Sequence, residues 1–175
     1  MHCTITAQMV RRAGYLEEFL DFWSARPEIK RVWFSMYTPQ IGELSNEMLS
    51  PQQRTEAVRV LRTLHRRQSK LDMRPEATES FLSPPKSPAE CTFARTTHTI
   101  SADMKTHVTP CQFGGNPDCS HCGCVASVAL HALTEMRTPI GVKIGTLLNA
   151  SLPIGEWNRP SPQAPPPPGN RAAAA

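Results

Sequence analysis

Residues 108–124 read Val-Thr-Pro-Cys-Gln-Phe-Gly-Gly-Asn-Pro-Asp-Cys-Ser-His-Cys-Gly-Cys, and they hold four of the six cysteines in the chain. A fifth, Cys91, lies upstream of this stretch. Two residues separate Cys119 from Cys122, a spacing that lets two thiolates of one tight turn face one metal centre. Thiolates are the usual ligands of iron–sulfur clusters, and a cubane uses up to four of them. The sequence therefore predicts a metal centre, with candidate ligands Cys91, Cys111, Cys119, Cys122 and Cys124.

The flanking residues predict a hairpin that brings these thiols together. Five β-formers surround a turn at residues 102–105, namely Thr96, Thr97, Thr99, Ile100 and Val108. Cys91 precedes the first strand and Cys111 follows the second, so folding can carry both toward the turn at 119–122. Gly114 and Gly115 permit unusual backbone angles, which allow amide groups to turn toward inorganic sulfide.

Cysteine spacing alone leaves other interpretations open. A structural zinc site uses the same residues at similar spacing. A thiol redox pair at Cys119 and Cys122 expects a strand before it and a helix directly after it, whereas here a Gly-Gly-Asn-Pro loop precedes it and a further cysteine follows. Unliganded buried cysteines are the remaining alternative. Cys3 stands alone on an apolar strand and is predicted to be a core residue. His121 can replace a cysteine in a zinc site, although its position also suits a solvent-facing turn residue.

The first 72 residues predict alternating strands and helices. Residues 3–6 form a strand stub, and the apolar residues Leu16, Phe19, Leu20 and Trp23 recur on one helical face. This helix ends before Pro27. Residues 32–37 are apolar on both faces, which is typical of a buried parallel strand.

A second helix has a clear start. Ser50 caps it, Pro51 suits its first position and Gln53 completes a capping box. Its apolar stripe consists of Ala57, Val58, Leu61 and Leu64. Beyond it, the prolines of residues 73–90 predict a linker, and residues 125–136 predict a short helix. Residues 158–175, rich in proline and alanine, predict a disordered tail.

Composition limits the function classes. The formal charge of +4 is mild and spread out, and only 6% of residues are aromatic, which argues against nucleic-acid binding. No stretch approaches the roughly 20 apolar residues of a membrane span, and no secretory signal opens the sequence. We therefore expect a cytoplasmic protein, in which clustered cysteines indicate metal ligands before disulfides.

Residues 99–111, ending in Val108-Thr109-Pro110-Cys111, resemble the hairpin of SPASM and twitch domains, the C-terminal extensions of radical S-adenosylmethionine (SAM) enzymes. The resemblance implies that Cys111 ligates an auxiliary 4Fe–4S cluster. It also implies an α/β (α+β) fold: the last βα units of a partial TIM-type barrel at 1–72, a linker at 73–90, a cysteine-rich hairpin-plus-helix iron–sulfur domain at 91–157 and a tail at 158–175.

The same resemblance implies that residues after the strand at 32–37 lie near the adenine of SAM; these are Tyr37, Thr38, Pro39, Gln40 and Ile41. It further implies a ferredoxin or flavodoxin as electron donor and a small molecule or peptide as substrate. The CxxxCxxC motif that binds the catalytic cluster of the family is not in this sequence. We therefore expect a C-terminal fragment that carries one cluster and is inactive alone.

Overall fold

The computed structural model describes residues 1–157, and in this range helices and short strands are mixed, as in an α+β protein. The tail predicted at 158–175 lies outside the described residues. The elements are, in chain order, β1 His2–Ile5, α1 Ala7–Arg11, α2 Tyr15–Ser24, β2 Trp33–Met36, α3 Pro51–Arg67, α4 Pro75–Glu79, α5 Thr92–Thr96, β3 Thr99–Ile100, β4 His107–Val108, α6 Val125–Glu135 and α7 Ile144–Trp157. Two 3-10 turns, Ser80–Leu82 and Cys119–His121, precede α5 and α6 respectively.

Strand β2 lies at the centre of the first half. It pairs in parallel with β1, with Cys3 opposite Phe34, and the chain between them includes α2. Its other edge is covered by the segment that follows α3, since Val32 donates a 2.8 Å hydrogen bond to the carbonyl of Lys70. Phe34 is fully buried and Met36 is 1% exposed. Phe34 and Met36 lie on one face of β2, because side chains alternate along a strand. On the other face Ser35 is 8% exposed but Trp33 is 41% exposed, so the predicted burial holds for one face and for only part of the other.

Local signals place both long helices of this half as predicted. Helix α2 begins after Gly14 and ends before Pro27. At the start of α3, Ser50 accepts a hydrogen bond from the Gln53 amide, and the Gln53 side chain accepts one from the Ser50 amide. The predicted stripe of α3 is buried throughout its length: Ala57, Val58, Leu61 and Leu64.

Residues 73–90 differ from the linker that their prolines predict. Pro75 occupies the first turn of α4, where a missing amide hydrogen costs nothing. The following 3-10 turn buries Phe81 completely, and Thr78 is 2% exposed. The prolines therefore mark the ends of short helical turns that pack into the core.

The cysteine-rich half has the predicted hairpin and one predicted helix. Strands β3 and β4 pair antiparallel, with Thr99 opposite Val108. The Asp103 carboxylate closes the turn by accepting hydrogen bonds from the amides of Lys105 and Thr106. Helix α6 matches the helix expected at 125–136. Helices α5 and α7 were not predicted, and Thr96, expected in a strand, ends α5.

One hydrophobic core joins the two halves. It contains Phe34 of β2, Leu61 of α3, Phe81 of the first 3-10 turn and, from α6, Val128. The cysteine-rich segment is thus packed directly on the α/β half, and this fixes where the cysteines stand. Among the described helices, none combines the length and the apolar character that crossing a membrane requires.

Candidate metal centre

Five cysteines line one pocket, hereafter the cysteine pocket. The pocket is partly open to solvent. The five are those that the sequence singles out: Cys91, Cys111, Cys119, Cys122 and Cys124. Cys3 lies elsewhere, on β1, and is 7% exposed, which confirms the prediction of a core residue.

The five cysteines reach the pocket from several local structures. Cys91 is the residue before α5, and its Sγ lies 3.1 Å from the hydroxyl of Ser127 on α6. Cys111 follows the hairpin and begins a turn, since its carbonyl accepts a hydrogen bond from Gly114. Gly114 and Gly115 have φ of 61° and 60°, a left-handed conformation that glycine adopts without strain. The predicted unusual backbone of this loop is therefore present.

The pair Cys119 and Cys122 belongs to a single 3-10 turn. The amide of Cys122 donates a 3.1 Å hydrogen bond to the carbonyl of Cys119. Asp118 caps the turn by accepting from the amide of Ser120. The carboxylate of Asp118 also lies 2.7 Å from Nδ1 of His121, whose side chain is 40% exposed. His121 thus contacts Asp118 at the surface, and it does not line the cysteine pocket.

Gly123 anchors this turn to the end of β2. Its carbonyl accepts a 2.8 Å hydrogen bond from the amide of Met36, and its own amide donates one of 2.8 Å to the hydroxyl of Thr38. A Cβ added at Gly123 would stand 2.6 Å from the Cβ of Met36 and still closer to the Met36 carbonyl. Only glycine fits between Cys122 and Cys124 while these contacts are kept.

Cys124 lines the pocket and also caps helix α6. It is the N-cap of α6, where its Sγ accepts a 3.4 Å hydrogen bond from the amide of Ser127. The amide group of Gln112 also donates to this sulfur, at 2.9 Å. The sulfur of Cys124 therefore accepts two hydrogen bonds. Cys122 is held instead through its backbone, by the 3-10 turn and by Arg54 of α3.

Arg54 of α3 reaches the same turn from the core. It is 7% exposed, and its guanidinium donates to the carbonyls of Cys122 at 2.9 Å and His121 at 2.7 Å. A third bond, of 2.9 Å, goes to the carbonyl of Phe81. Arg54 therefore ties the turn at 119–122 to both α3 and the segment after α4.

Burial raises the pKa of three of the pocket thiols. It raises the pKa of Cys119 to about 11, with smaller contributions from the negative charges of Cys122 and Cys111. It raises the pKa of Cys124 to about 11 and also raises the pKa of Cys122. Without a bound cation these thiols stay protonated at neutral pH. A reactive redox cysteine shows the opposite shift, toward a lower pKa.

Five cysteine sulfurs line the pocket, together with the polar side chains of Thr38, Gln112 and Ser127. None of the lining residues, all within the described part of the chain, is a carboxylate or an imidazole. Across residues 1–157, no group of three or more histidine, cysteine, aspartate or glutamate side chains is arranged to bind a single metal ion. A zinc ion needs all its sulfurs about 2.3 Å from one point. A cubane instead binds each cysteine through a different iron and so tolerates wider spacing of sulfurs around a shared cavity.

The segment expected near SAM adenine, residues 37–41, makes several contacts with the cysteine loop, residues 111–124. The carbonyl of Pro39 accepts from Asp118, and the amide of Ile41 donates to Asn116, both at 2.8 Å. The side chain of Gln40 accepts from the amide of Asn116 at 2.6 Å. Thr38 lines the cysteine pocket, and the hydroxyl of Tyr37 pairs with Glu43. This segment supports the cysteine loop, a role that sequence reasoning did not predict.

Sequence reasoning also missed Arg54 and Gly123, although one signal was present. Arg54 lies three and four residues before Ala57 and Val58, so it continues the apolar stripe of α3. A cation on a buried face indicates a specific partner. The contact of Gly123 with Met36 spans about half of the chain and leaves no local sequence signal. No protein-family model, no curated protein and no solved structure matches this chain.

Proposed function

We propose that this chain binds one auxiliary 4Fe–4S cluster in the cysteine pocket, as part of a radical SAM enzyme. The observation that carries the proposal is the convergence of five cysteines, spread over 34 positions of sequence from Cys91 to Cys124, on one pocket. Separate backbone features hold them there, among them the 3-10 turn and the N-cap of α6. Such an arrangement of sulfur donors is typical of an iron–sulfur site.

The ligands would be Cys91, Cys111, Cys119 and either Cys122 or Cys124. When bound, the cluster supplies a one-electron redox centre or a coordination site for substrate. A bound iron centre would stabilise the thiolates that burial disfavours. The high thiol pKa values argue against the thiol redox alternative, which needs an accessible thiolate.

The radical SAM part of the proposal is supported by the parallel β1–β2 pair with its intervening helix and by the hairpin that leads to Cys111. By this proposal, residues 1–72 belong to the end of a partial barrel, and residues 37–41 also approach SAM. A ferredoxin or flavodoxin would donate the electron, in the reducing cytoplasm. The sequence lacks CxxxCxxC, so the proposed activity of these residues is cluster binding and not cleavage of SAM.

Anaerobic reconstitution tests the proposal. With iron and sulfide the chain should turn brown, absorb broadly in the visible range and retain about four iron and four sulfide ions per chain. A colourless protein that binds one zinc ion tightly would identify a zinc module instead. Disulfide exchange activity that persists without metal would identify a thiol redox protein.

Two cysteines, one inside the pocket and one outside it, provide a pair of variants. Cys111→Ala should abolish cluster uptake, because it removes a pocket thiol. Cys3→Ala should leave iron content unchanged, because Cys3 lies on β1, outside the pocket. Unchanged iron in the Cys111 variant would contradict the ligand assignment. Comparing Cys122→Ser with Cys124→Ser identifies the fourth ligand, since only its loss should remove the cluster.

A further inference from the structure

Arg54 carries a buried positive charge beside the cysteine pocket. Its guanidinium is surrounded by carbonyl oxygens, those of Phe81, His121 and Cys122. Among the ion pairs of residues 1–157, none involves Arg54. The nearest acidic residue of the turn, Asp118, directs its carboxylate to Ser120 and His121. The cation therefore has neutral dipoles as its direct partners.

Burying a cation without an anion is costly, because the charge loses its hydration. None of the direct hydrogen-bond partners of Arg54 within residues 1–157 carries a compensating negative charge. Four thiolates on an iron–sulfur cluster can compensate the charge, because a 4Fe–4S core with four cysteine ligands is anionic in both of its common redox states. The position of Arg54 thus makes physical sense when the pocket holds negative charge.

We propose that Arg54 is the counter-charge of the cysteine centre, and that it raises the reduction potential of the cluster while holding the turn that carries Cys119 and Cys122. This inference rests on the proposed function. In the redox step a low-potential one-electron donor loses one electron, and the cluster gains it, so the net charge of the centre becomes more negative by one. A fixed cation close by favours that added charge, since Coulomb interactions are strong where water is excluded.

The test compares three variants of the reconstituted protein in a redox titration followed by electron paramagnetic resonance, with dithionite as reductant. Arg54→Met removes the charge and keeps most of the side-chain volume. At a fixed solution potential its ratio of reduced to oxidised cluster should fall about tenfold, equal to a shift of about 59 mV for one electron. Arg54→Lys keeps the positive charge, so its ratio of reduced to oxidised cluster should stay close to that of the parent protein.

Arg59→Met is the matched control on the same helix. Arg59 is 67% exposed and pairs with Glu56, so its loss should leave the potential within error of the parent protein. A parent-like potential in Arg54→Met overturns the inference. If Arg54→Met does not retain the cluster, Arg54→Lys decides: a loaded Lys variant with parent-like potential supports the counter-charge role, and one with a clearly lowered potential contradicts it.

The two proposals fail in different ways. Failure of the parent protein to bind iron and sulfide removes the proposed function, and this inference with it. A parent that loads normally, with a potential insensitive to the charge at position 54, leaves the proposed function intact and removes only the role of Arg54.

Discussion

Gly123→Ala should separate the cysteine loop from β2. The added Cβ would come within 2.6 Å of the Met36 Cβ and even nearer to the Met36 carbonyl. Met36 cannot withdraw, because it is 1% exposed and pairs with Ile5 of β1. The loop must therefore move, and the hydrogen bonds of Gly123 with Met36 and Thr38 break with it.

The size of the effect follows from these contacts. Each lost hydrogen bond costs about 1 kcal/mol, and overpacking at a rigid contact costs about 1–3 kcal/mol. The expected loss in the free energy of unfolding is about 3–5 kcal/mol, a large part of the roughly 5–15 kcal/mol that holds a typical domain together. Because Cys122 and Cys124 flank the moved residue, iron content after reconstitution should fall as well.

Urea unfolding followed by circular dichroism measures the first effect, and iron and sulfide analysis the second. Gly42→Ala is the control: Gly42 has a φ of 79°, and its added Cβ would meet nothing within 4 Å. That variant should lose only the roughly 1–2 kcal/mol of a left-handed non-glycine residue and keep full iron content. The reasoning is refuted if Gly123→Ala unfolds within about 1 kcal/mol of the parent protein and binds iron normally.

Three further outcomes concern stability. Burial raises the pKa of Cys3 from 9.0 to about 11, so the neutral thiol stabilises the metal-free fold below pH 9, and this contribution disappears as pH rises through 11. Urea unfolding measured across that pH range should therefore show a smaller drop in the free energy of unfolding for Cys3→Ala than for the parent protein, by about 2–3 kcal/mol. Equal drops in both proteins would contradict the buried thiol. Ser50→Ala removes one half of the capping box and should lower the free energy of unfolding by about 1 kcal/mol; no change in the urea midpoint would speak against the cap. Phe81→Ala should cost about 3–5 kcal/mol, because Phe81 is fully buried, whereas a residue in an extended linker would show almost no effect in the same assay.

Local chemistry was enough to predict much of the secondary structure. The limits of α3 follow from its capping box and stripe, and those of α2 from Gly14 and Pro27, because these signals act within one or two helical turns. The hairpin was predicted for the same reason. Helix α5 was not predicted, because Thr96 is a β-former by preference. The conformation of this helix depends on its packing against α6 and α7.

The proline-rich segment 73–90 shows where local reasoning stops. Proline restricts the backbone of a linker and of the first turn of a helix alike, so composition does not distinguish them. The choice was made by Phe81, which enters the core between α3 and α6. Burial of that side chain is a tertiary interaction, and no pattern within the segment reveals it.

For the site, sequence alone determined which residues are candidate ligands, because cysteines so closely spaced in the chain are confined to a small volume. Tertiary structure decided that Cys91 joins them, that Gly123 is locked to β2 and that Arg54 reaches their turn. Arg54 and Cys122 are 68 residues apart. Contacts over such separations form only when the core closes, since their cost in chain entropy is offset by the apolar surface that the whole fold buries.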